Sequence, residues 1–375
     1  MRAPVRLAQP SFEQTELDEV AAVLRRGELI QGTQVALFEE GVARYLGVPH
    51  AVACSSGTSA LHLAMMALEL RPDDEVVMPN FTFPATANMV EMTGARPVVV
   101  DIDPVTLNVD LERLEAALTP RTRVIIPVHL FGLTADMASL SRLAADRGIA
   151  VVEDAACALG STWPDVDGQP HLAGTTCDMA CWSFHPRKLI TTGEGGMVTT
   201  HNGDLARTLR ELRNHGATPG VSRNTYRRFG PNYRMTEMQG ALGWVQLGKV
   251  AHFIEQRRQR ARRYHQLLKD VDGVTLPSVP EGYGHVFQAY VIWLDENIDR
   301  DRVLAGLREA EIEAVVGNYA IHEQPWYADK YGLRAEDFPV TRRAARSTLC
   351  LPLHPAMSDG DQDYVAQCLK SELMR

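Results

Sequence analysis

Between about residues 50 and 215, short apolar runs alternate with stretches whose apolar positions recur at helical spacing. Residues 75–78, 97–100, 123–127 and 149–152 are short, apolar and β-branched, as buried strands are. Residues 58–68 put Leu61, Ala64, Met65 and Leu68 on one helical face, and 135–147 repeat the pattern. This alternation predicts an α/β fold, a sheet covered by helices on both sides. Ser11-Phe-Glu-Gln14 has the spacing of a capping box and predicts a helix from there to about Arg26. From Thr236 to about Asp270 the periodicity predicts one or two long helices. The pattern then changes: 286–294 reads as a strand, 301–310 as a helix, and 317–338 is rich in turns. The chain is expected to divide into a large domain, 1–246, and a smaller α+β domain, 247–375.

Composition narrows the function classes. At 375 residues the chain can bury two large cores, and 45% hydrophobic residues exclude a disordered protein. The net charge is −9, from 38 basic against 47 acidic residues, and no Lys/Arg stripe interrupts it, which argues against nucleic acid. No apolar run reaches membrane-spanning length, and no signal-peptide pattern opens the chain. Cys54, Cys157, Cys177, Cys181, Cys350 and Cys368 show no paired metal spacing, so no metal is expected and the protein reads as a reduced, cytoplasmic one.

Chemistry concentrates in four places. In Ser183-Phe-His-Pro-Arg-Lys-Leu-Ile-Thr-Thr-Gly-Glu-Gly-Gly196, Lys188 follows one apolar run, 179–184, and precedes another, 197–200. A lysine held between buried strands loses hydration, which favours the neutral amine, a nucleophile toward a carbonyl such as the aldehyde of pyridoxal 5′-phosphate. The plain alternative is a lysine ending a strand in solvent. Cys54-Ser-Ser-Gly-Thr-Ser-Ala-Leu-His62 turns from a strand into a helix near Thr58, and a helix start rich in hydroxyls suits a phosphate dianion. Ordinary capping would look the same. Asp154 ends the run Val151-Val-Glu-Asp at the sheet's carboxyl edge, where a carboxylate can pair with a protonated pyridine nitrogen or simply cap a turn. Phe83, in Phe81-Thr-Phe-Pro84, can lie on a pyridine ring or serve as a core residue.

These residues resemble the DegT–StrS family of pyridoxal-phosphate-dependent sugar aminotransferases, and the resemblance covers nearly the whole chain. It takes in Gly27 to Gly32, Phe38-Glu39, Ser55 to His62, Pro79-Asn-Phe-Thr-Phe83, Asp101-Ile-Asp-Pro104, Pro127-Val-His-Leu-Phe-Gly132, Glu153-Asp-Ala-Ala156, Ser183-Phe-His185 with Lys188, Thr192 to Gly196, Gly230-Pro-Asn-Tyr-Arg-Met235 and Leu351-Pro-Leu-His-Pro355. It implies the fold type I architecture of aspartate aminotransferase: a mixed, mostly parallel seven-stranded sheet flanked by helices, with a smaller α+β domain behind it. It also implies that Lys188 links covalently to the cofactor and shuttles a proton, and that Asp154 holds the pyridinium. Thr58, Ser59 and Ser183 would bind the phosphate, and Phe83 would stack on the ring. Asn232 would reach the phosphate of the neighbouring subunit, so a homodimer with shared active sites is expected. Cys157 departs from the His or Gln usual in the family beside the cofactor, and a thiol is a weak donor there.

The reading is a homodimeric aminotransferase moving an amino group from an amino acid, L-glutamate in most of the family, to a keto sugar, usually nucleotide-linked. Alternatives are a cyclitol ketone as acceptor, a dehydratase branch with histidine in place of Lys188, and a non-catalytic regulator that keeps the fold. Leu29, Tyr319 and His322, in the loops 29–31 and 318–326, are the candidates for substrate contact.

Overall fold

In the computed structural model, which describes residues 3–218 and 224–375, the alternation becomes a seven-stranded sheet. Its strands are β1 (His50–Cys54), β2 (Glu75–Pro79), β3 (Arg96–Val100), β4 (Thr122–Ile125), β5 (Ala150–Asp154), β6 (Met179–Ser183) and β7 (Gly196–Thr200). They lie in the order β1-β7-β6-β5-β4-β2-β3. Only β7 runs against its neighbours, pairing antiparallel with β1 and with β6, so the carboxyl ends of the other strands share one edge.

Both faces of the sheet are covered, as its continuous apolar runs require. Alternate residues serve opposite cores. Met78, Val124, Val152 and Cys181 pack on one side beneath the helix Gly57–Ala67. Val77, Ile125 and Val151 face the helix Met137–Ala145 on the other. The first helix is Gln14–Arg26, and the box that opens it is not the expected one. The Glu16 carboxylate accepts the N–H of Glu13 at 3.0 Å. Ser11 lies ahead of the helix, and its carbonyl takes the amide of Gln246 at 2.9 Å. Glu16 is instead tied to Lys249 and Gln246, partners too distant in sequence for a local pattern to reveal.

Two helices occupy the region after Thr236: Glu237–Leu247, capped by the Thr236 side chain, and Val250–Leu268. The second helix joins two cores. Val250, Phe253 and Ile254 pack against the large sheet's layers, while Ala261, Tyr264 and Leu268 enter the core of a four-stranded antiparallel sheet. That sheet is covered by Arg300–Glu309 and Asp359–Leu373, and Val5, from the start of the chain, pairs with Ile312 in the same core. The turn-rich segment crosses the other way: Ile321, Tyr327 and Phe338 pack with Met78 and Val90 under the large sheet.

The strand expected over 286–294 is shorter, Tyr290–Leu294. Ahead of it Phe287 adopts φ +48°, and the His285 ring accepts the Phe287 N–H at 2.9 Å, so the chain turns there. The buried Arg257 guanidinium fixes that turn by donating to the carbonyls of Phe287, Gln288 and Leu353 at 3.0–3.2 Å.

Candidate active site

Three structural junctions meet at the carboxyl edge of β5 and β6. The first is the end of β5. Asp154 is buried there, and its Oδ2 accepts the hydroxyl of Thr86 at 2.8 Å while Oδ1 accepts the Ala156 N–H at 3.3 Å. Thr86 stands in the first turn of the helix Ala85–Met92, and its hydroxyl lies 3.3 Å from that of Thr82. The neighbouring Glu153 points into the opposite layer, as strand alternation requires. Its Oε2 accepts the Nε2–H of His129 at 2.7 Å and the Gly174 N–H at 2.6 Å, with both side chains fully buried. Since His129 Nδ1 accepts the Ala135 N–H, its proton must sit on Nε2. Glu153 and His129 therefore brace the loop after β4 and leave Asp154 as the carboxylate at the sheet edge.

The second junction is the loop from β6 to β7. Its backbone is held by Phe184 N–H on the Gly195 carbonyl at 2.8 Å and Thr192 N–H on the Phe184 carbonyl at 3.0 Å. The Thr191 hydroxyl bonds the same carbonyl at 2.8 Å. Within this frame Lys188 Nζ donates to the sulfur of Cys157 at 3.1 Å. Cys157 follows directly on the turn made by Asp154 and Ala156, so the amine and the carboxylate share one turn.

The third junction is the start of the helix Gly57–Ala67. Ser56 caps it by accepting the Ser59 N–H at 3.0 Å, and the hydroxyls of Ser55 and Ser56 each lie 2.9 Å from that of Ser59. Glycine is required where the helix start meets the strands. A Cβ on Gly57 would sit 2.7 Å from Ser183 Cβ, and one on Gly196 would sit 2.1 Å from the Ser56 carbonyl oxygen. Ser183 is thereby pressed against the helix's first turn, whose N–H groups have no partners within the helix. Thr58 is exposed at that turn. The register places Asp154 opposite Cys181, two residues before Ser183, so the helix start and the carboxylate flank one site on adjacent strands.

The mouth of the site carries exposed aromatics. Phe83 is 61% exposed and meets Tyr319 edge-on at 6.1 Å, while the Thr82 N–H donates to the Tyr319 carbonyl at 3.0 Å. His322, in contrast, is buried. Asn80 accepts the His322 N–H with its oxygen at 3.0 Å and donates its amide to Nδ1 at 2.8 Å. The proton of this imidazole therefore sits on Nε2, a buried donor that has no partner among the described residues. The ring also stacks on Phe338 at 5.2 Å. Leu29 lies in an exposed loop whose backbone is pinned by the buried Glu237. The Glu237 carboxylate accepts the N–H groups of Gly32, Gln34 and Val35 at 2.8–3.0 Å, and its own N–H donates to the Leu29 carbonyl. Asn232 is exposed, in a segment bridged to Asn214, and its side-chain oxygen accepts the Arg234 N–H at 3.4 Å.

Sequence reasoning missed Thr86, Glu237 and the His129–Glu153 pair. Each acts on a partner far away in the chain, and only the position of His129 and Glu153 inside matching motifs marked them at all.

The donor set fits pyridoxal phosphate. A helix start with hydroxyls suits its dianion, a buried carboxylate suits its ring nitrogen, an amine suits its aldehyde, and an exposed phenylalanine suits its ring face. The model of the DegT/DnrJ/EryC1/StrS aminotransferase family matches residues 10–370. The chain belongs to that family. It is 38% identical to the GDP-perosamine synthase of Caulobacter vibrioides, over 99% of this chain and 98% of that one. It is also 38% identical to the UDP-N-acetyl-3-dehydro-alpha-D-glucosamine 3-aminotransferase of Acidithiobacillus ferrooxidans, over 95% and 93%. Among solved structures it is similar to the PLP-form of a sugar aminotransferase, Spr1654 of Streptococcus pneumoniae, with a TM-score of 0.92 and 27% identity over 98% of each chain. The protein is a pyridoxal-phosphate-dependent aminotransferase of the α/β, fold type I architecture.

Proposed function

We propose that this aminotransferase moves an amino group from L-glutamate to a keto sugar carried on a nucleotide. The observation that carries the proposal is the shared turn of Lys188 and Asp154, an amine and a buried carboxylate beside a phosphate cradle. Two relatives whose names specify GDP- and UDP-linked compounds support the substrate class. When bound, pyridoxal phosphate supplies an aldehyde that captures amines and a ring that accepts electrons from the carbon bearing the nitrogen. Thr58, Ser59 and Ser183 bind the phosphate, and Phe83 covers the ring. Asp154 holds a proton on the ring nitrogen. Lys188 would hold the cofactor's aldehyde carbon and would move a proton at the substrate carbon through Nζ. Cys157 keeps that amine on the Asp154 side of the site through its sulfur. Leu29 and Tyr319 line the substrate's approach, and the unpartnered Nε2–H of His322 is a donor for a sugar oxygen.

Incubating the loaded enzyme with L-glutamate and a panel of nucleotide-linked keto sugars, with free keto cyclitols alongside, tests the assignment. Mass spectrometry should show a ketone converted to an amine in a nucleotide-linked member of the panel. Amination confined to the cyclitols would overturn the substrate class.

The exposed Asn232 supports a homodimer in which each phosphate is held by one subunit together with the partner subunit's Asn232. Lys188→Ala and Asn232→Ala subunits, each poorly active alone, would then combine into a heterodimer with one intact site and one doubly damaged site. Activity should recover toward about half of wild type per heterodimer, by that symmetry count. No recovery under proven subunit exchange would count against a site shared through Asn232. No helix among the described residues is long and apolar enough to cross a membrane. Free cysteines throughout support a cytoplasmic enzyme.

A further inference from the structure

We infer that Thr82 and Thr86 form a directional hydroxyl relay that positions Asp154 against the pyridine nitrogen, with Thr86 as its positioning residue. The inference rests on Asp154 having the role given above, and it concerns what holds that carboxylate in place.

Both threonines are 1% exposed, so their hydroxyls have no access to bulk water and must find partners in the protein. Thr86 Oγ1 lies 2.8 Å from Asp154 Oδ2 and 3.3 Å from Thr82 Oγ1. An ionised carboxylate only accepts hydrogen bonds. The Thr86 proton is therefore committed to Asp154, and the Thr86 oxygen is left to accept from Thr82. Thr82 is itself fixed, because its backbone N–H donates to the Tyr319 carbonyl at 3.0 Å. All protons in the chain Thr82→Thr86→Asp154 point toward the carboxylate, and each bond polarises the next. Oδ2 is gripped at a short distance, whereas among the described residues Oδ1 has the longer contact to Ala156 N–H at 3.3 Å. The relay thus fixes the carboxylate's rotation and leaves accepting capacity on both oxygens for the ring nitrogen.

A residue that merely fills space would be replaced without loss by the isosteric valine. A positioning hydroxyl would not. The test uses the holoenzyme loaded with pyridoxal phosphate labelled with ¹⁵N in the ring, with the nitrogen's chemical shift read by solid-state NMR beside kcat and KM. Thr86→Val should move the ring ¹⁵N signal toward the unprotonated form and lower kcat about tenfold with little change in KM, in the range expected for losing a hydrogen bond to a charged group. Thr86→Ser, which keeps the hydroxyl, should restore both to within about twofold. Thr82→Val, one step removed, should show a smaller loss of about threefold, consistent with cooperative strengthening along the chain. Thr86→Ala guards against a folding failure, since it cannot crowd the site and should give the same spectral shift as valine. The relay is overturned if Thr86→Val leaves the ¹⁵N signal and kcat within about twofold of wild type, or if Thr86→Ser is as damaged as Thr86→Val. Asp154→Asn separates this failure from failure of the site reading. If that variant shifts the nitrogen signal and Thr86→Val does not, only the relay is wrong. If Asp154→Asn leaves the signal unmoved, the role of Asp154 itself is wrong.

Discussion

Lys188→Ala is expected to leave a folded protein that has lost transamination. The Lys188 side chain donates to the sulfur of Cys157 and to no other side chain among the described residues. The loop around it is held by backbone bonds and threonine hydroxyls that the substitution does not touch. The melting temperature should therefore move little, since changes away from core packing and caps usually stay within about 0.5 kcal/mol. Activity should fall by several orders of magnitude. Moving one proton by a positioned group is worth about 10²–10⁴-fold, and the variant also loses the covalent anchor for the cofactor. Steady-state rates and thermal melts on the same preparation check both halves. Near-normal turnover would remove Lys188 from the chemistry.

The second large effect is expected at Asp154→Asn. The carboxylate is buried and gripped by Thr86, and an amide of nearly the same shape can keep that bond through its oxygen. Stability should therefore change by only about 1 kcal/mol, the scale of one weakened local bond. An amide does not hold a proton on a pyridine nitrogen, so the electron-accepting power of the ring falls. We expect each half-reaction to slow by about 100-fold or more, the range of a lost proton-holding group. A loss confined to melting temperature, with both half-reactions intact, would identify Asp154 as a turn cap.

Much of the frame was legible because it rests on local pattern. The seven strands follow from apolar runs, and the helix starting at Gly57 follows from a hydroxyl-rich turn after a strand. Asp154 and Ser183 could be picked out because each ends a strand, and Lys188 because it lies in the loop between two apolar strands. Thr86 could not, because a threonine inside a helix carries no mark of the carboxylate it meets across the sheet edge. Glu237 likewise reads as an ordinary first-turn acid, although it closes the loop at Leu29. The first helix starts later than Ser11 and Gln14 suggest because Glu16 closes the box on Glu13 and is also held by Lys249 and Gln246. His322 read as a loop residue near the substrate; the sequence does not show that it stacks on Phe338 and that Asn80 fixes its tautomer, leaving Nε2–H as the donor. In each case a long-range polar contact overrode or supplemented a local signal.

Whether Lys188 and Asp154 form one aminotransferase site is decided by a single half-reaction. Purified enzyme loaded with pyridoxal phosphate is mixed with L-glutamate alone, and 2-oxoglutarate and the visible absorption band are followed together. Wild type should release about one 2-oxoglutarate per subunit and lose the band of the bound aldehyde form, as a reaction split into two halves requires. Lys188→Ala should release none on the same timescale. An unchanged band with no 2-oxoglutarate from wild type, or equal release from both proteins, would contradict the account.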